Sequence, residues 1–154
     1  MLTEIEINKI NKEISVFPIK SAACLEALKI VQESRGWVSD ENVEDIAKIL
    51  EMSYEEVDGV ATFYNMIFRK PVGRNVILLC NSISCVMSGS ETIYEYLSKK
   101  LGIKWGETTG DKRFTILPNS CLGDCNNAPV MMINKDHYNK LTSDKIDQIL
   151  ERYI

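Results

Sequence analysis

The sequence predicts an α/β chain, with a helical bundle over residues 1–74 and a small sheet layered with helices over residues 75–154. Three observations carry this. Amphipathic segments with helical spacing occupy the first part, a break from Pro71 to Gly73 follows, and beyond it apolar runs read as strand, helix, strand, strand, helix. With 154 residues and 45% hydrophobic content, the chain can bury the core of one ordinary domain or two small ones.

In "AACLEALKIVQESRG", Cys24, Ala27, Leu28 and Val31 recur at helical spacing, and Gly36 stands where a C-terminal cap is expected. In "SDENVEDIAKIL", Ser39 or Asp40 can cap the start, while Val43, Ile46 and Leu50 make one apolar face. "SYEEVDGVATFY" opens with a capping box from Ser53 to Glu56 and carries Val57, Val60, Ala61 and Tyr64 along one stripe. Pro71 then disfavours helix at Lys70, and Gly73 permits a turn.

The second part begins with "NVILLC", a short apolar run expected to form a buried strand. "SETIYEYLSKKLG" follows as a helix capped near Ser88 or Ser90 and ended at Gly102. "RFTILP" and "APVMMIN" give two more strands, and "KDHYNKL" a fourth short strand or a turn. Thr142 caps the last helix, which places Ile146, Ile149, Leu150 and Tyr153 on one face.

A net charge of -4 without a polybasic block argues against nucleic acid as the main partner. "VEDIAKILEMSYEEVDGVATFY" has the outline of a helix-turn-helix, yet Glu55, Glu56 and Asp58 would stand where phosphates lie. The opening "MLTEIEINKINKEI" has neither the apolar core of a secretory signal nor the composition of a transit peptide. "VILLC" and "APVMMI" are too short to cross a bilayer, so a cytoplasmic chain without direct membrane insertion is expected. In a reducing compartment, paired cysteines point to metal or redox chemistry more than to structural disulfides.

Four of the five cysteines form two close pairs, Cys80 with Cys85 and Cys121 with Cys125. The first pair starts at the end of one strand and the second three residues past Pro118, so in an α/β sheet the two loops can converge. Two metal readings compete. A structural zinc site favours tighter knuckles, whereas a [2Fe-2S] cluster is wider and takes one thiolate pair per iron, and the spacing favours the cluster. His137 is the single histidine, which excludes a Rieske centre and a Cys2His2 finger. No C-x-x-C exists for disulfide exchange, and Cys24 reads as a small buried hydrophobe.

Together "EALKIVQESRGWV", "VDGVATFY", "PVGR", "CNSISC" with Gly89 after it, and "CLGDCNNAPVMMIN" resemble the small [2Fe-2S] subunit of bacterial NADH:quinone oxidoreductase, complex I. The likeness runs from about Ala22 to the C-terminus. It implies a helical region followed by a thioredoxin-like domain with a small mixed sheet, and one [2Fe-2S] cluster on Cys80, Cys85, Cys121 and Cys125. The implied role is non-catalytic, the exchange of single electrons with FMN on a partner subunit of the NADH dehydrogenase module. Absence of G-x-G-x-x-G and of a Walker A loop agrees with FMN and NADH being held only by that partner. The resemblance further implies contact with the large iron-sulfur subunit and a place on the cytoplasmic side of the inner membrane, through the complex. The same module serves NAD-linked hydrogenases and formate dehydrogenases, and a structural zinc-binding interaction domain is the reading from another class.

Within this frame Gly123 either lets amide N–H groups approach a cysteine sulfur or is an ordinary turn residue, and Pro129 would stiffen the entry to the strand "VMMI". "TTGDKRF" places glycine before aspartate where the family commonly has Asp-Gly, leaving the hairpin geometry open. Of Met131 and Met132 one should be core, and His137 reads as a solvated loop residue. Phe63, Tyr64, Met66, Ile67 and Phe68 are either core or a docking surface, and Arg69, Lys70 and Arg74 a solvated basic rim.

Overall fold

The computed structural model describes residues 1–153 and divides into two compact units, Met1–Pro71 and a second from Val72 onward. In the first unit four helices pack on one another: α1 (Glu4–Ile14), α2 (Cys24–Arg35), α3 (Asp40–Leu50) and α4 (Tyr54–Phe63). Their apolar stripes meet in a single core that includes Ile10, Leu28, Val31, Val43, Ile46 and Val57. Ser39, rather than Asp40, caps α3, and Ser53 with Glu56 forms the expected box at α4. Gly36 closes α2 in a left-handed conformation, φ 82°, which a Cβ would disfavour.

Helix α1 lies in a segment for which the sequence reading made no helix. Its signals are local ones. Thr3 accepts from the Glu6 N–H at 3.3 Å and Glu6 accepts from the Thr3 N–H at 2.7 Å, a capping box. Ile7, Ile10 and Ile14 then point one face into the core.

Arg69 is not part of a solvated rim. Its side chain is 16% exposed, and its Nε donates to Asp58 at 2.8 Å and its Nη2 to Asp40 at 2.6 Å. A further Nη1 bond to the Val38 carbonyl makes Arg69 a tie between the start of α3 and the body of α4. Of the apolar group at and after the end of α4, Ile67 is core while Phe63, Tyr64 and Met66 are exposed.

The second unit is built on a four-stranded sheet: β1 (Asn75–Cys80), β2 (Phe114–Asn119), β3 (Met131–Ile133) and β4 (Asp136–Tyr138), in the order β2-β1-β3-β4. β1 runs parallel to β2 with Cys80 opposite Asn119, and antiparallel to β3 with Leu79 opposite Met131. The sheet is therefore mixed. Ile77, Leu79, Phe114, Ile116, Met131 and Ile133 share a core with the inner faces of α6 (Ser90–Leu101) and α7 (Ser143–Leu150). Period-two alternation buries Met131 and leaves Met132 half-buried. His137 lies exposed on β4 rather than in a loop, opposite Met132.

Local details depart from the sequence reading or complete it. A five-residue helix, α5 (Ile83–Met87), follows β1, and α6 starts after Gly89, φ 94°, with no hydroxyl cap from Ser88 or Ser90. α7 ends at Leu150, so Tyr153 stands beyond it, its hydroxyl donating to Asp136 at 2.6 Å. At the tip before β2 the left-handed residue is Lys112, φ 56°, not Gly110, while the Lys112 N–H donates to the Thr109 carbonyl at 2.8 Å. Gly73 has a different reason to be glycine: a Cβ there would meet the Phe114 backbone at 3.0 Å.

Candidate metal centre

Parallel pairing of β1 with β2 decides where the cysteines go. Both strands end at the same edge of the sheet, and the loops that leave them start side by side, the Asn81 N–H donating to the Asn119 carbonyl at 3.0 Å. Cys80 is the last residue of β1 and Cys85 sits in the middle of α5, both nearly inaccessible. Cys121 and Cys125 stand on the second loop and are exposed. All five cysteines are free thiols, and Cys24, buried at the start of α2, has its thiol pushed up to about 11 by that burial.

The two pairs have different surroundings. Cys80, Cys85 and Val130 make a small apolar cluster under Leu122 and Ala128. Burial first, and then the hydrogen bond with Cys80, pushes the Cys85 thiol up to about 11. In the outer pair the Sγ atoms of Cys121 and Cys125 are 3.9 Å apart, and their mutual contact raises the Cys125 thiol above its ordinary value. The two loops lie close enough to act on each other: Cys80 helps raise the Cys125 thiol and Ser84 of α5 lowers it.

Backbone geometry supports the outer pair. Gly123 adopts φ 83° and its N–H donates to the Cys121 Sγ at 3.3 Å, the closer approach of the two roles open to that glycine. Asn119 Nδ2 donates to the Cys121 carbonyl at 2.8 Å. Asp124 accepts from Asn127 Nδ2 at 2.6 Å and from Asn139 Nδ2 at 2.7 Å, and these bonds hold its carboxyl below the usual range. The Ala128–Pro129 peptide that leads to β3 is cis. Beside Cys80 a cleft of about 450 Å3 opens between Asn81, Glu91 and the stacked rings of Tyr94 and Trp105.

Neither Asp124 nor Ser84 had a role in the sequence reading. The signal for Asp124 was present, a carboxylate between two cysteines with asparagine three residues on. Ser84 could be placed only by knowing that α5 turns it toward the other loop.

These residues fit a [2Fe-2S] cluster. A metal–sulfur bond of about 2.3 Å with tetrahedral angles puts two thiolates about 3.8 Å apart, close to the spacing of the outer pair. Among the described residues no three His, Cys, Asp or Glu side chains gather closely enough to hold one metal ion. A two-iron cluster takes one thiolate pair per iron.

Known proteins place the chain in a family. Residues 10–154 match the model of the thioredoxin-like [2Fe-2S] ferredoxin, and the chain belongs to that family. Its relatives include an NADH-quinone oxidoreductase subunit from Buchnera aphidicola subsp. Acyrthosiphon pisum (strain APS), 50% identical over 99% of this chain and 94% of that one. The counterpart of that subunit in Escherichia coli (strain K12), which bears the same name, is 48% identical over 99% of this chain and 92% of that one. Among solved structures, an NAD+-reducing [NiFe]-hydrogenase in the H2-reduced state superposes with TM-score 0.71 at 22% identity, over 84% of this chain and 22% of that one. That last likeness is one of fold.

Proposed function

We propose that this chain is the iron-sulfur subunit of the NADH dehydrogenase module of an NADH:quinone oxidoreductase, with one [2Fe-2S] cluster on Cys80, Cys85, Cys121 and Cys125. The cluster, when bound, supplies one-electron transfer. The observation that carries the reading is the pairing of the thiols, one buried pair and one exposed pair on neighbouring loops at one sheet edge. Cys80 and Cys85, under Leu122 and Ala128, exclude water from one side of the site. Cys121 and Cys125 open the other side to a partner.

The chain's own part is to hold, shield and present the cluster. Gly123 directs an N–H at a ligand sulfur, and such bonds favour the more negative, reduced state. FMN and NADH would lie on a partner subunit, with the large iron-sulfur subunit as a further neighbour, and this chain alone would have no NADH-oxidising activity. Residues 75–154 would form the ferredoxin domain and residues 1–74 a separate helical one. On this reading the chain has a peripheral place on the cytoplasmic side of the inner membrane, held by the complex; no described helix is long and apolar enough to cross a membrane.

Near-full-length relatives that are NADH-quinone oxidoreductase subunits favour this setting over a hydrogenase or formate dehydrogenase. Chemical analysis of anaerobically purified protein tests the site. About two iron atoms and two acid-labile sulfides per chain are expected, and Cys121→Ala or Cys125→Ala should lower both together. One zinc per chain without sulfide would contradict the reading.

A further inference from the structure

Asp124 is the one ionisable side chain between the two cysteines of the outer pair, and it does not swing free. Asn127, in the turn that begins at Cys125, holds one carboxylate oxygen at 2.6 Å, and Asn139, just past β4, holds the other at 2.7 Å. Both residues are anchored in turn through their backbone carbonyls. The Asn127 carbonyl accepts from the Lys140 N–H at 2.7 Å, and the Asn139 carbonyl accepts from Lys145 Nζ at 2.7 Å.

These ties are neutral. Amide donors orient a carboxylate without cancelling its charge, and His137 and Lys140 act on Asp124 through space. If the task of position 124 were only to pin the loop, a neutral acceptor would serve. What a carboxylate adds is a fixed negative charge adjacent in the chain to Cys125. One-electron reduction of a metal centre on these thiolates places one more negative charge beside it, which a nearby anion opposes.

We infer that Asp124 sets the reduction potential of the site: an anchored carboxylate that lowers the one-electron potential of a cluster on Cys80, Cys85, Cys121 and Cys125, against the upward pull of the Gly123 N–H. The inference rests on the ligand assignment proposed above. Asp124 is a positioning and tuning residue and ligates nothing.

Redox titration of the cluster-loaded protein, followed by EPR at fixed pH and ionic strength, tests it in two matched pairs. Asp124→Asn removes the charge and keeps the size. The reduced-to-oxidised ratio at a given applied potential should rise three- to tenfold, an upward shift of about 28 to 59 mV at 59 mV per tenfold for one electron. Asp124→Glu keeps the charge and Asp124→Gln, its neutral counterpart, should titrate higher than it by a similar factor, so the comparison survives if Asp124→Asn loses its cluster. Both gaps should narrow as salt is raised, because the carboxylate is only half-buried and its field is partly screened.

Asn139→Ala releases one arm of the clamp and keeps the charge, and should shift the potential less than Asp124→Asn. Equal potentials within either loaded pair, or a shift in Asn139→Ala as large as in Asp124→Asn, would overturn the inference. A wild-type protein with no reducible cluster would instead overturn the ligand assignment beneath it, a failure seen before any variant is made.

Discussion

Glu6 shows how much one buried carboxylate can organise. It is 4% exposed, and its oxygens accept from the Thr3 N–H and hydroxyl, from Ser34, and from the Arg35 Nε at 2.8 Å and Nη2 at 2.7 Å. The Arg35 guanidinium is the main reason its acid form is pushed far below the carboxylate range, against the opposing effect of burial. A carboxylate whose folded pKa is depressed stabilises the fold above its unfolded value, about 4.3, and loses that contribution as pH falls. Urea unfolding of the first unit should therefore weaken below about pH 4, and Glu6→Gln should cost about 2–4 kcal/mol at pH 7 while flattening that decline. Arg69→Lys should cost about 1–2 kcal/mol, since an ammonium cannot serve Asp40, Asp58 and Val38 in one plane. At this scale the two cysteine pairs stand out in the sequence because thiol spacing is a local property. The burial of Arg69 was not, because its partners lie 11, 29 and 31 residues away in the chain.

Among the elements, the helices with both a cap and a stripe were readable, as at Ser53 with Val57 and Ala61. α1 carries the same signals, a Thr3 to Glu6 box and apolar residues at 7, 10 and 14. α5 has five residues, too few to show a period, and its place is fixed by the strand before it and the glycine after it. Two glycine arguments are testable here. Gly73→Ala should destabilise the second unit by about 1–3 kcal/mol, because the new methyl meets Phe114 backbone atoms that cannot rotate away. Lys112→Gly should stabilise it by about 0.5–1 kcal/mol, since a residue with a Cβ now holds φ 56° at the hairpin tip. Denaturant midpoints at constant slope would measure both.

For the whole molecule, the decisive property is the strand order β2-β1-β3-β4 with β1 and β2 parallel. It brings together loops forty residues apart in the chain, which residue spacing alone could suggest and only topology could fix. The inequality of the two cysteine pairs, one buried and one exposed, likewise belongs to the fold and has no local signature. On the proposed reading, the protein alone should reduce no acceptor with NADH, and activity should appear only when a flavin-bearing partner subunit is added. The most direct test is low-temperature EPR of anaerobically purified protein before and after dithionite. A signal absent as isolated and present on reduction, integrating to about one spin per chain, is the predicted result. Silence in both states, with zinc in place of iron, would contradict it.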